Sequence, residues 1–596
     1  MSGFCPGKCK TTVEKMNKRH GSIQMKRLYE ITGIFTVFIV ALFSLQSTAV
    51  GANEICSPTT GTAIQLLDNK GELKQTLSLD ANHSGTSIRT ILNNAITKVS
   101  AYPQDVSNGK RGTVRLSKGQ FTASAFIAMK EGVILEGTVE NDRPVTTMCT
   151  QPSSNSVTIK IMVSHTGVKN LILEGKRRTE DPKTGKPRNY FEARNRGIEV
   201  TAIDQSKSTA DLVSVYSAVN DLHRLQNILI EDVQISGYEG YGIYLEHVNG
   251  VMIKGSDSRK RNKMAIKDIG YAGIGGYSAS NVTVRHATVR NLGPGETVGN
   301  TKQSYGIAFS HRKDSAGDAM TQSKFQRSDT IAVEGNVVAN NPRWEGIDTH
   351  SGQNVSFTNN VILNTRFPII VGGMDYKGGA ISAYPPGNIT IEGNRINSFN
   401  DYAYYDIGKN ATVSERGITV NGTQYHDLTE TKMGFLQKVM IKGNYVNDVR
   451  ANVEEWGGIS IHVTKNALIE SNIIENSLNN GIAMLSSNKF TKIKGNIINQ
   501  IHKSDEKFIS AGIGIRGSHN NGSPTNDYAI TSLNMKSNVI EGDNRFTEVG
   551  HEIHVQDKTV YNRLDDWIAI SAFLDWNKPN VKNIMEDGEA HPNYLE

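Results

Sequence analysis

Trp344-Glu-Gly-Ile-Asp-Thr-His-Ser-Gly-Gln-Asn-Val-Ser-Phe-Thr-Asn-Asn-Val-Ile-Leu-Asn-Thr365 reads as one coil of a longer spiral. Side chains alternate across a strand, so its first half puts Ile347 and Thr349 on one side and Asp348 and His350 on the other. Its second half, Val355 to Ile362, is another short alternating segment with an Asn-Asn turn inside it. That second half recurs from Ile228, Val282, Ile331, Ile389, Val439, Ala467 and Ile493. The first half recurs as Gly-Ile followed by alternation at Gly197, Gly242, Gly273, Gly306, Gly346, Gly417, Gly458, Gly481 and Gly512. Repetition of this kind means a solenoid, in which the longer spacings carry insertions that project from one face and build a binding site.

The chain has 596 residues with Gly 56, Pro 15 and 37% hydrophobic content, and one elongated domain fits a repeat that runs through most of it. Its formal charge of +6 is a small excess, which leans toward an acidic ligand; no nucleic-acid partner is expected. Met25-Lys-Arg27, the apolar run from Ile34 to Phe43 and the small residues Val50-Gly51-Ala52 read as a secretory signal cleaved after Ala52, with Met25 a candidate start. The apolar run is short for a bilayer span, so no stable membrane insertion is expected after cleavage, and the protein is expected to be secreted or periplasmic. Cys5 and Cys9 precede the signal, which leaves Cys56 and Cys149 to form a disulfide between the N-terminal arm and an early coil.

From Thr86 to Ala101, apolar residues at Ile88, Ile91, Leu92 and Ile96 have helical spacing and predict a lid over the open end of the spiral. The segments Gly112-Thr-Val-Arg-Leu-Ser-Lys-Gly-Gln-Phe121 and Gly132-Val-Ile-Leu-Glu-Gly137 follow. This succession, continued by the coils from Val168 to about 556, resembles the pectate-lyase-like right-handed parallel β-helix superfamily. The resemblance implies an all-β solenoid with an N-terminal helical cap. Its expected divisions are a leader at 1–52, an arm and cap at 53–140, the β-helix at 141–556 and a C-terminal cap at 557–596. The superfamily includes polysaccharide lyases, glycoside hydrolases and uronate epimerases, so the scaffold by itself does not choose among them. Asn336, Asn394, Asn444, Asn472 and Asn496 recur at the turns and are read as structural amides.

If the Gly-Ile strands stack in register, the second and fourth residues after each glycine form an outward stripe about 4.8 Å apart per coil. It carries Glu199, Tyr244, Glu246, Tyr277, Asp348, His350, His462 and Arg516, with Leu485 its apolar exception. Tyrosine and tryptophan stack on sugar rings and charged groups bind hydroxyls or uronates, which suits a polysaccharide. The candidate catalytic group is Asp348, His350, His311, Arg312 and Glu345, because a base beside a cation is what removal of a proton alpha to a carboxylate requires. Trp344, Lys313, Tyr244, Glu246, Tyr277, His462 and Arg516 are candidate substrate contacts. Asp348-Thr349-His350 also resembles the Asp-Pro-His motif of uronate epimerases of this fold, with Thr349 in place of the proline.

Carboxylate pairs for hydrolysis are available as Glu345 with Asp348 or Glu199 with Glu246. The Asp-Asp and Gly-His-Gly pattern of polygalacturonases is absent. Elimination would draw on Lys313, Arg312 or Arg366. No compact acidic loop stands out, so no cofactor is expected, with calcium left open. His551 and His554 are expected on opposite faces of their strand. The expected function is cleavage of an extracellular, acidic polysaccharide by β-elimination or hydrolysis, with a uronate epimerase and a non-catalytic binding or adhesion solenoid as alternatives. Oligomeric state is not legible.

Overall fold

The computed structural model describes residues 59–80, 83–150, 157–175, 195–203, 224–256, 263–293, 303–312, 326–373, 385–397, 414–422, 434–451, 456–506, 508–516, 538–540, 543–556, 584–586 and 589–590. Chain contacts divide into two units, Met1–Ile55 and Cys56–Glu596, and every described residue lies in the second. The leader, Cys56, Lys313, the loop carrying Asp375, Tyr376 and Lys377, the acidic pair Glu454 and Glu455, and the apolar tail with Trp567 and Trp576 lie outside the described residues.

The chain winds as a parallel β-helix with three strands per coil. The Gly-Ile strands form one face, pairing parallel from Arg196–Thr201 to Tyr241–Lys254, Ala272–Arg285, Tyr305–Ser310 and Val337–His350. The repeated "second half" contributes the other two faces, because its internal turn is a corner between strands. Gln353–Thr358 and Val361–Gly372 pair with different strands of the coils on either side. The isoleucine after each glycine points inward, and Ile198, Ile243, Ile274, Ile307, Ile347, Ile418, Ile459, Ile482 and Ile513 are all fully buried. Stacked β-branched side chains thus make a continuous core along the spiral axis.

The glycines themselves are required by the stacking. A Cβ on Gly306 would lie 2.3 Å from the carbonyl oxygen of Gly346 in the next coil and 2.6 Å from Val338 Cγ1. The corner between the second and third faces is turned by a residue at positive φ followed by an asparagine, as at Gly393 (φ 65°) before Asn394 and Asn359 (φ 55°) before Asn360. The asparagine side chains point inward and form a ladder. Asn336, Asn360, Asn394, Asn444, Asn472 and Asn496 each donate from Nδ2 to Oδ1 of the next asparagine, ending on Asn544, at 2.9–3.0 Å. Outside the second face, Arg115 pairs with Glu136 at 3.0 Å and Glu231 sits between Lys169 at 2.7 Å and Lys254 at 3.0 Å. Such surface pairs contribute at most about 1 kcal/mol each; their alternation favours correct register more than it adds stability.

The helix Gly85–Ser100 forms where helical spacing places it. Its Ser84 N-cap accepts a hydrogen bond from the Ser87 N–H, and Ile88, Leu92, Ala95, Ile96 and Val99 are buried. It packs on Ala63–Asp68, Gly112–Leu116 and Gly119–Ala123. Ala63–Asp68 pairs antiparallel with Leu73–Ser78 and Gly112–Leu116, whereas Gly112–Leu116 pairs parallel with Val133–Glu136. Parallel pairing between strands thus begins at Gly112–Leu116, next to this short antiparallel edge.

Candidate functional site

The strand register bears out the column. Glu199, Tyr244, Gly275, Ala308 and Asp348 are successive partners, and Thr201, Glu246, Tyr277 and Ser310 form the parallel row. Beyond Asp348 the spiral inserts a coil that the Gly-Ile pattern does not show. In it Pro368 stands in the glycine position, Ile370 pairs with Asp348 and Gly372 with His350. This coil gives His350 its space, since a Cβ on Gly372 would lie 2.7 Å from His350 Nδ1.

The expected exposed stripe is corrected to a buried one over much of its length. Glu199, Tyr244, Glu246, Asp348 and His462 are buried, although they face away from the core. The outer face builds its own aromatic layer: Tyr241, Tyr244, Tyr271 and Tyr305 cluster there, with Tyr277, Ala308 and Trp344 packed against them. Their rings meet edge to face at 4.9–5.4 Å along the series Tyr244, Tyr241, Tyr271, Tyr305. Burial pushes the phenols of Tyr241, Tyr244, Tyr271 and Tyr305 well above their ordinary range, so they stay neutral.

Two of these tyrosines, and Glu345, precede a glycine. Side-chain alternation breaks at that glycine, which has no ladder partner although register is kept on either side, as between Arg196 and Ile198 or Tyr305 and Ile307. Side chains three residues apart across it consequently share the outer side. Arg196 donates to Glu199 at 2.8 Å in this way, and Tyr241 meets Tyr244. The same geometry overturns the expectation for His551 and His554, whose ring centroids are 5.7 Å apart.

It also brings Glu345 to Asp348. His350 Nε2 lies 3.3 Å from Asp348 Oδ1 and 3.5 Å from Glu345 Oε2. The carboxylates are almost wholly buried, at 1% and 5% side-chain exposure, while His350 is 28% exposed and forms the way in. Asp348 Oδ1 and Glu345 Oε2 are buried without a hydrogen-bond partner. On its other oxygen Asp348 accepts from Ser310 Oγ at 3.5 Å, and the same hydroxyl accepts from the His350 N–H at 3.2 Å. Burial holds the Asp348 carboxyl well above its usual range and Glu345 adds to the shift, against the pull of His350. The simple picture of an ionised Asp348 strengthening its histidine neighbour thus gives way to two carboxyls sharing a confined space.

The other candidates take different places. Arg312 pairs with Glu246, donates to the Tyr244 hydroxyl at 3.3 Å and lies over Tyr277 at 5.6 Å. Glu199 is held by Arg196 at 2.8 Å and Lys160 at 3.5 Å, so Glu199 and Glu246 each meet cations. His311 is fully buried, and its backbone N–H donates to the His350 carbonyl at 2.9 Å; strand alternation puts it on the side of Phe309, away from Asp348. Arg366 pairs with Glu415 at 2.8 Å, and Trp344 meets Phe367 edge to face at 5.1 Å. Gly457 and Ser460 stand on the His462 strand where Glu345 and Asp348 stand on theirs, so Trp456-Gly457-Gly458 echoes the repeat without the acids. Arg516 stands in register with Leu485 and Gln556. Cys149 is buried, and its expected partner is outside the described residues. Sequence reading missed Tyr241, Tyr271 and Tyr305; the residue before the Gly-Ile pair was the available signal for Tyr241 and Tyr305.

Residues 220–403 match the family model of the right handed beta helix region. No curated protein sequence matches the chain. Among solved structures it is similar to the A-module of an Azotobacter vinelandii mannuronan C-5 epimerase (14% identity, 78% of this chain and 92% of that one, TM-score 0.39). It is also similar to the catalytic unit of a Streptomyces thermodiastaticus alpha-1,3-glucanase (14%, 82% and 67%, TM-score 0.40) and to PfbA, a surface adhesin of Streptococcus pneumoniae (11%, 79% and 92%, TM-score 0.39). The three-strand parallel coils and inward isoleucine stacks thus have the fold of a right-handed parallel β-helix, and the stretch from 220 to 403 matches the family model of that region.

Proposed function

We propose that this chain is a secreted enzyme that cleaves an acidic polysaccharide, with Glu345, Asp348 and His350 as its reactive centre. The observation that carries the reading is the convergence of two buried carboxyls with unpartnered oxygens on one half-exposed imidazole. Native chains seldom leave such groups unsatisfied unless the site uses them. Trp344 and Tyr277 at the edge of the aromatic layer offer aromatic surface for sugar rings.

Of the two cleavage routes, hydrolysis fits the centre better. It requires a proton donor and a second carboxylate, and Asp348 and Glu345 supply them, with His350 relaying protons to solvent. Elimination requires a cation on the substrate carboxylate, and Arg312 and Arg366 are already engaged by Glu246 and Glu415. The test incubates the chain cut after Ala52 with acidic and neutral polysaccharides, following new reducing ends beside absorbance of unsaturated uronates. Reducing ends alone, lost in Asp348→Asn and His350→Ala, are expected. Unsaturated products would replace hydrolysis by elimination, C-5 inversion without cleavage would make the chain an epimerase, and tight binding without any product would make it an adhesin.

A further inference from the structure

We infer that Glu345, Asp348 and His350 form a binding site for one divalent transition-metal ion of the zinc type. Glu345, Asp348 and His350 each offer one ligand atom, and the three atoms lie within 4.8 Å of one another. Metal bonds of about 2.0–2.2 Å place neighbouring donors of a tetrahedron about 3.3–3.6 Å apart. The imidazole nitrogen lies 3.3 Å and 3.5 Å from the two carboxylate oxygens, which matches that edge.

A second observation is independent of the spacing. Asp348 Oδ1 and Glu345 Oε2 are buried and accept no hydrogen bond, although His350 Nε2 is within reach of both. The nitrogen and the two oxygens therefore converge on a common point, as ligand lone pairs do. Two acids buried beside a single imidazole leave negative charge that one histidine cannot balance, and a dication between them removes that cost.

The donor set selects the ion. One imidazole with two carboxylates suits zinc, cobalt or manganese, whereas calcium and magnesium prefer oxygen alone. Three protein donors leave at least one position for water. Ser310, which donates to the other oxygen of Asp348, orients the carboxylate as outer partners of ligands do. Lone pairs that hold a cation cannot also move a proton, so occupancy is expected to suppress the cleavage proposed above. That regulatory consequence rests on the proposed activity; the binding site does not.

The experiment titrates chelator-stripped full chain with zinc against a chromophoric chelator, and loads cobalt to record its visible absorption. One equivalent is expected, with a tetrahedral cobalt spectrum. Asp348→Asn, Glu345→Gln and His350→Ala should each weaken binding by at least about tenfold, with far-ultraviolet circular dichroism unchanged. His551→Ala, which breaks up the His551–His554 pair, should leave binding intact. Absence of stoichiometric binding, its persistence in Asp348→Asn, or its loss in His551→Ala alone would overturn the assignment. A chain that binds one equivalent and cleaves nothing retains the metal site and loses the hydrolase reading; one that cleaves and binds nothing does the reverse.

Discussion

Replacing Asn444 with alanine should cut the internal amide ladder at its centre. Asn444 is 1% exposed. Its Oδ1 accepts from the Asn394 N–H and from Asn394 Nδ2, both at 2.9 Å. Its Nδ2 donates to the Ile391 carbonyl and to Asn472 Oδ1, again at 2.9 Å. Asn472 Oδ1 keeps another donor, the Asn444 backbone N–H at 3.0 Å. The donors stranded in the core are thus the Asn394 N–H and one hydrogen of its amide. Each buried unsatisfied group costs about 1–3 kcal/mol, so the loss should be about 2–6 kcal/mol. Lys118→Ala is the control, since it removes an exposed ion pair to Glu140 at 2.7 Å and should change stability by no more than about 1 kcal/mol. Urea unfolding followed by far-ultraviolet circular dichroism compares the two. Equal midpoints would refute the reasoning, because they would mean that water or relaxed turns satisfy the severed rungs.

Gly306→Ala should destabilise by about 1–3 kcal/mol or more, because its Cβ meets the carbonyl of the coil that carries Asp348; Gly387→Ala, whose nearest contact would be 3.8 Å, should be close to silent in the same melts. In chelator-treated buffer, Asp348 should make stability fall as pH rises. Its folded pKa is raised by burial, so its stabilising contribution is complete below the unfolded value near 3.8 and is lost as pH climbs through the folded one. Asp348→Asn should flatten that slope and raise the melting temperature at neutral pH while abolishing cleavage; an unchanged slope would show that Asp348 is not the group responsible. The expected Cys56–Cys149 bridge predicts no free thiol in the chain cut after Ala52 until a reductant is added, measured by alkylation and mass. Two reactive thiols before reduction would rule the bridge out.

The solenoid was legible in the sequence because its physics is local and repeated. Most coils carry an inward β-branched residue, a glycine under the next coil's carbonyl and an asparagine at an inner corner, so the same short patterns return and declare the fold. The outward column could be aligned for the same reason. The coil at Phe367–Gly372 stayed hidden because Pro368 occupies the glycine position and breaks the pattern on which the alignment depended. Burial of the column was equally beyond reach: alternation tells which way a side chain points, and only the packed tyrosines of the outer face decide whether solvent follows. Asp348 and His350 could be paired from two-residue spacing, but Glu345 joins them only because side-chain alternation breaks at Gly346. Sequence by itself determined the spiral, its cap and the strand that carries the reactive groups. The tertiary structure decided that two acids and one imidazole meet at a point, because that depends on a break in strand alternation and on the small residues of neighbouring coils that leave them room.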